Sequence, residues 1–315
     1  MKKILYINHG LSEKCGVYDL GIRHFNSIKD IEEYNIKYFE INNLQNYFEI
    51  CQNEKPDGII FNHMNVTSPW INNKINDYKC VKFCVPHLFC KNKFIYNEDI
   101  YQDIYDYFII LDKNSEENYK NFKTNRPLPI FECENIKNEI PNIGGFGFAF
   151  PDKNFNLIVK EVNNIFDEAI INFHMPNAHF NGGVNHIDYL MESCNQEITK
   201  KGIKINFNTK FLSQEELIKK INKNDLNCLF YNKNNYIGIS SSLDYVIAAQ
   251  KPILITESLM YRSFSDCLPK YPETNILEIF NNYEKYNKEI KNIYYNSVFE
   301  IKKQTKNILD KTIKR

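Results

Sequence analysis

The chain has 315 residues, 39 of them basic and 39 acidic, and 43% are hydrophobic. That length suffices for two domains that each bury a core, and a formal charge of zero excludes a broad electrostatic attraction to nucleic acid. The nine cysteines include Cys80, Cys84 and Cys90, whose spacing fits neither a zinc site nor a small secreted disulfide framework, so they read as reduced core thiols.

In chain order, "MKKILYINHG" begins with two lysines and an apolar run that is too short for a signal peptide and lacks a small-residue cleavage site. It reads as a buried first strand, Lys3–Ile7. Apolar runs at Gly58–Asn62, Cys80–Val85 and Tyr107–Leu111 follow, with helix-like segments between them, the pattern of parallel strands joined by crossover helices. The polar stretch Glu134–Asn142 then interrupts the series, and its Pro141 discourages regular structure. A second series starts beyond it, at Ile143–Phe150, Ala169–Met175, Ile203–Asn208, Asn227–Tyr231 and Pro252–Thr256. After Pro272 the strand signals stop and a helical pattern runs almost to the end, finishing with Lys302, Lys303, Lys306, Lys311, Lys314 and Arg315. Cations suit the C-terminal end of a helix; contact with an anionic membrane is the alternative reading. No run reaches the roughly 20 apolar residues that span a bilayer, so a soluble, cytoplasmic protein is expected.

The expectation is an α/β chain of two Rossmann-like domains, residues 1–138 and 139–297, facing across a cleft, with a C-terminal helix over about 298–315 that returns to the first domain. Open parallel sheets bind ligands outside the carboxyl ends of their strands. In "YIGISSSLDYVIAAQKPILIT", Ser240, Ser241 and Ser242 stand at the start of a helix, where hydroxyls cap and backbone N–H groups with the positive dipole end suit a diphosphate. Asp244 would repel a phosphate but accept hydrogen bonds from ribose hydroxyls. Taken alone, these residues are equally the marks of an ordinary capped helix. His63 and His87 each follow a strand of the first half. His174, His179 and His186 are spaced by five and seven residues, not by the helical i, i+4 of a metal site, and no metal is expected.

"LDYVIAAQKPILIT" resembles the segment of GT-B-fold glycosyltransferases, especially of family 4, in which an acidic residue precedes a small-residue helix and a G-x-P-V-I turn. "GFAFPDKNFNLIVKEV" is similar to the segment after the first strand of their C-terminal domain, and there Lys153 takes the place of the lysine that contacts the donor diphosphate. "NHGLSEKCGVYDLGIRHF" resembles their N-terminal glycine loop, with Gly16 and Val17 at the turn, and "FLSQEELIKKINKNDLNCLFY" the helix and strand before the donor loop, ending at Tyr231. Two positions depart from the family 4 pattern. Its first glutamate falls near Tyr236–Gly238, where no acid stands, and Phe148 and Ala149 replace the arginine that precedes the lysine.

The resemblance implies a hexosyltransferase, of the kind that serves polysaccharide biosynthesis, moving a sugar from a nucleotide-sugar donor to a glycan or lipid-linked acceptor, with retention and with no metal or other cofactor. It implies catalytic roles for His87 and Lys153, and donor contacts from Gly16, Val17, Lys153, Tyr231, Ser240, Ser241, Ser242 and Asp244. The alternatives are a nucleotide-sugar epimerase of the same fold, and a noncatalytic GT-B-like binding subunit that the missing glutamate would suit.

Overall fold

The first apolar run forms strand β1 (Lys2–Asn8), and Ile4 to Ile7 are buried without alternation, as a strand covered on both faces requires. This computed structural model describes residues 1–10, 15–87, 89–90, 93–94, 103–114, 120–134, 136–177, 185–232 and 239–313. The chain forms two units. Met1–Pro127, Ile237–Ile239 and Asn296–Arg315 make the first, and Leu128–Tyr236 with Ser240–Tyr295 the second.

In the first unit, β1 is followed by α1 (Gly16–Ile28), β2 (Tyr34–Glu40), α2 (Leu44–Glu54), β3 (Gly58–His63), β4 (Val81–Pro86), the short antiparallel pair β5 (Phe89–Cys90) and β6 (Lys93–Phe94), β7 (Tyr107–Ile110) and β8 (Asn121–Lys123). Six strands make a parallel sheet in the order β2-β1-β3-β4-β7-β8. Helix α1 buries Leu20, Gly21, His24 and Ile28, a one-sided stripe at helical spacing. Gly21 is required there, because a Cβ would come within 2.7 Å of the amide nitrogens of both Asn8 and Asn62.

The second unit contains β9 (Asn142–Phe146), α3 (Phe155–Ile165), β10 (Glu168–His174), α4 (Ile187–Gln196), β11 (Gly202–Asn208), α5 (Gln214–Asn222), β12 (Leu226–Leu229), α6 (Ser241–Ala248), β13 (Ile253–Thr256), β14 (Lys270–Tyr271) and α7 (Ile276–Asn281). The last helix, α8 (Tyr283–Thr312), starts in this unit, and its residues from Asn296 onward belong to the first. There Ile308, Leu309 and Ile313 share a core with Ile4, Tyr6 and Ile28. The second sheet is also parallel, in the order β11-β10-β9-β12-β13-β14. Among the described residues, no helix is long and apolar enough to cross a membrane.

The expected α/β class and both strand series are present, with five described strands the apolar runs did not mark. β2 sits at a sheet edge and is mostly half-buried or exposed, β8 has three residues, and β5, β6 and β14 have two each. The run expected as a strand to Phe150 stops at Phe146, because Gly147 turns the backbone to φ 144° and Pro151–Lys153 coil into a 3-10 turn. Cys51, Cys84, Cys194 and Cys228 are buried free thiols, as expected; Cys15, Cys80, Cys133 and Cys267 are free but only half-buried, which corrects the core reading for them, and the Cys90 side chain lies outside the described residues.

Each sheet reverses its winding once. The chain moves from β1 outward to β2 and then crosses to β3, so the first reversal lies between β1 and β3. In the second unit it lies between β9 and β12. Such switch points leave a crevice at the carboxyl ends of the strands.

Beneath the second sheet lies an asparagine network: Asn206 donates to Asn172 (3.0 Å), Asn172 to Asn224 (3.1 Å) and Asn224 to Asn227 (2.8 Å). Gly144 on β9 lies against this network, and a Cβ there would collide with the side chains of Asn224 and Asn227. Gly144→Ala is expected to destabilise the fold by about 1–3 kcal/mol, the usual cost of overpacking, and to lower the urea midpoint at unchanged slope.

Candidate functional site

The second unit's switch point is built from the loops that leave β9 and β12. Gly147 turns the first loop, and the side chain of Lys153 folds back over it so closely that a Cβ on Gly147 would meet the ammonium. Nζ of Lys153 stands 4.4 Å from the centroid of the Tyr231 ring, two residues beyond the end of β12. The Asn232 N–H donates to the Asp152 carbonyl (2.8 Å) and the Asn154 amide to the Asn232 side chain (2.6 Å), tying the two loops together. Lys153 is 7% exposed. Burial pulls its pKa from 10.5 to about 8, against the opposing charge of Asp152. Among the described residues its ammonium has the Tyr231 ring and no hydrogen-bond acceptor.

Helix α6 reaches the same end of the sheet. Tyr245 packs edge-on against Phe146 at the end of β9 (5.9 Å), and Phe146 stacks on His174 at the end of β10 (5.5 Å). Ser240 occupies the N-cap of α6, but the expected cap is not made: its side chain takes no hydrogen bond from the helix, and its own N–H donates to the Met260 carbonyl (2.9 Å). The first turn of α6 thus has no hydroxyl cap on its N–H groups. Ser241 and Ser242 are half-buried, and Asp244, also in the first turn, is fully buried. The position of the family's first glutamate, Tyr236–Gly238, lies outside the described residues.

In the first unit, Gly16 opens α1, and Asn62 bridges Val17 to His87. The Asn62 amide nitrogen donates to the Val17 carbonyl (2.9 Å), and His87 Nε2 lies 2.6 Å from Asn62 Oδ1, to which it donates. His63 Nδ1 is paired with the Tyr105 hydroxyl at 2.9 Å. Burial, joined by the positive charge of Arg126, pulls the His87 pKa down to about 3, and burial alone takes His63 to about 4. The structure therefore brings Lys153 to Tyr231 in the second unit and links Val17 to His87 through Asn62 in the first, while Ser240–Ser242 begin the helix whose Tyr245 packs on Phe146.

Sequence reading missed His9, Asn62, Arg23 and Arg126, all buried in the first unit, and the packing role of Phe146 against His174. A partial signal for two of them was present: "NH" occurs where strands end at Asn8–His9 and Asn62–His63, although it also occurs at Asn185–His186, before α4. His174 closes β10 and His186 precedes α4, while His179 lies outside the described residues. Among the described residues no group of three or more His, Cys, Asp or Glu is placed to hold a metal ion. An open polar depression of about 860 Å³, lined by Lys79, Lys82, Asp106 and Lys120 among others, lies at the amino ends of β4 and β7, the wrong end of a parallel sheet for its principal ligand.

No protein-family model matches the sequence, and no curated protein matches it. Solved structures do match along the whole length. Anabaena HepE in complex with UDP-glucose superposes with a TM-score of 0.62 at 10% identity, covering 99% of both chains. A glycosyltransferase from Rickettsia africae gives 0.64 at 11% identity, over 98% of this chain and 97% of that one. A trehalose-6-phosphate synthase, studied for glycosyl transfer with retention, gives 0.58 at 8% identity over 98% of each. The chain has the GT-B fold. At these identities the fold is what this GT-B chain shares with the three, and the expected Rossmann-like pair stands.

The Lys153 environment generates a stability prediction. The folded-state pKa of about 8 lies below the free value of 10.5, so between these values the unfolded chain binds more protons, and the lysine's contribution to stability improves as pH rises through that window. At pH 7 the folded protein bears the full cost of a buried charge. Lys153→Met should therefore stabilise the ligand-free protein at pH 7, by at most about 3 kcal/mol, with the advantage over wild type closing as pH approaches 10.5. Urea unfolding of both proteins across that range measures it.

Proposed function

We propose that the chain is a glycosyltransferase that moves a hexose from a nucleotide-sugar donor to a glycan or lipid-linked acceptor. The observation that carries this reading is the buried Lys153 ammonium, held over Tyr231 at a switch point without a hydrogen-bond acceptor among the described residues. A diphosphate supplies the anion that such a charge needs, and the uncapped start of α6 supplies N–H donors and a positive dipole end beside it. As the glycosidic bond breaks, the departing diphosphate gains negative charge, and these groups stabilise it without a divalent ion. UDP-glucose is bound in HepE, which makes uridine sugars the first donors to try.

Tyr231 and Ser240–Ser242 would border the donor, and Asp244 would accept from the ribose hydroxyls. Because Asp244 is fully buried, that contact requires the residues above it to shift on binding. Gly16, Val17 and His87 would serve the sugar and acceptor side. Retention is the stereochemical course we favour, by likeness to the trehalose-6-phosphate synthase. With a lipid-linked acceptor, membrane contact would fall to exposed lysines of α8 such as Lys302 and Lys303. A noncatalytic binding subunit is the competing reading, favoured by the absence of an acid at Tyr236–Gly238.

A panel of nucleotide sugars and acceptors, followed by nucleoside diphosphate release and product analysis, separates these readings. Transfer is expected with at least one pair and should survive excess EDTA. Lys153→Ala should lower turnover at saturation by about 10²-fold or more while weakening donor affinity less, since its charge matters most when the diphosphate departs. Tight nucleotide binding with no turnover of any pair would leave the binding subunit, and an altered free sugar would indicate an epimerase. Asp244→Asn should weaken nucleotide binding; an unchanged affinity would remove Asp244 from the ribose.

A further inference from the structure

The half-buried thiols differ in what they meet. Cys133 Sγ donates to the Ala248 carbonyl and Cys267 Sγ to the Phe264 carbonyl, both at 3.2 Å. Burial pushes the Cys80 and Cys133 thiols up to about 12 and about 11, away from the thiolate that reacts. Cys15 Sγ instead lies 3.7 Å from a ring nitrogen, Nε2 of His9, where the chain leaves β1 and enters α1.

His9 is 1% exposed, with Tyr18 in a T-shaped contact against its ring (5.7 Å) and its backbone N–H donated to Asn8 Oδ1 (3.0 Å). Burial holds its pKa below 6.5 against the pull of Glu40, so the ring carries a single proton. Nδ1 is buried and has no hydrogen-bond partner among the described residues. A proton on Nδ1 would be a buried donor without an acceptor. On Nε2 it points at Sγ, and a thiolate accepts such a bond better than a neutral thiol does.

The backbone adds to this. Cys15 is the N-cap of α1, a helix of 13 residues; its carbonyl accepts the Asp19 N–H (3.0 Å), and its side chain takes no hydrogen bond from the helix. The positive end of the helix dipole thus acts on the same sulfur as the His9 N–H. Asp19, in the first turn, opposes the dipole, while Glu40 accepts from the hydroxyls of Tyr18 (2.5 Å) and Tyr38 (3.1 Å).

We propose that Cys15, with His9 behind it, is a reactive thiol that hydroperoxides oxidise reversibly to the sulfenic acid. The sulfur attacks one peroxide oxygen, the O–O bond breaks, and the departing oxygen takes the proton that the thiol gives up. Sulfur is oxidised by two electrons, and the peroxide is reduced to water or an alcohol. Two molecules of a small thiol reverse the step, leaving a disulfide and water. Half-burial of Cys15 favours so small a reagent. This chemistry does not depend on glycosyl transfer.

The test exposes the full-length protein at pH 7 to limiting hydrogen peroxide with dimedone, which traps sulfenic acids, and follows the labelled peptides by mass spectrometry. Cys15 should be labelled at least about tenfold faster than Cys80, Cys133 or Cys267. His9→Leu should slow Cys15 by about tenfold, the scale of one lost hydrogen bond to a charged group. His9→Gln, whose amide N–H reaches the same place, should slow it less. If His9→Leu fails to fold, wild type unfolded in urea replaces it, and there the advantage of Cys15 should vanish. Labelling of Cys15 no faster than of the other half-buried thiols, or an advantage that survives His9→Leu or persists in urea, overturns the proposal.

Discussion

A parallel sheet that reverses its winding opens a notch at the carboxyl ends of two neighbouring strands, and the polar chemistry of this chain depends on that constraint in both units. The first strand of each sheet is buried along its middle, Ile4–Ile7 in β1 and Ile143–Gly145 in β9, which leaves no room there for a ligand. Function is therefore pushed to the residues that follow: His9 after β1 and Gly147 to Lys153 after β9. The partner across the reversal does the same, with His63 ending β3 and Tyr231 following β12. No long insertion is needed to bring these groups together. Strand register does it.

The two notches solve different electrostatic problems. In the second, one flexible ammonium is desolvated, and the quadrupole of Tyr231 offsets part of the cost without supplying a counter-ion. An aromatic face is a weaker partner than a carboxylate. It leaves the lysine's charge available to an incoming anion, whereas a salt bridge would have to be broken first. In the first notch, His63 and His87 are held neutral by burial, and each is fixed by a neutral partner, His63 by the Tyr105 hydroxyl and His87 by the Asn62 side chain.

Much of the fold was legible in the sequence because buried parallel strands read as unbroken apolar runs, and the nine that were marked all exist. β2 was not legible, since an edge strand half in water reads like a surface segment, and β5, β6, β8 and β14 are shorter than any periodicity can show. The second switch point was legible through Lys153 and Tyr231, each in the loop that follows a recognisable strand. The serine cap failed for a tertiary reason: Ser240 is held through its N–H by the Met260 carbonyl, twenty residues away, which local sequence does not encode. Asn62 was hidden for the same kind of reason: it meets His87 only through the pairing of β3 with β4.

Gly147 shows how closely the backbone and the lysine depend on one another. Its φ of 144° is open to glycine and strained for other residues, and the same missing Cβ makes the room in which the Lys153 side chain lies. Two requirements, a turn out of β9 and a channel for four methylenes, thus fall on one residue. Any side chain there would strain the turn and expel the ammonium from the Tyr231 face at once, so the charge at the second switch point is fixed by a backbone feature as much as by the lysine that bears it.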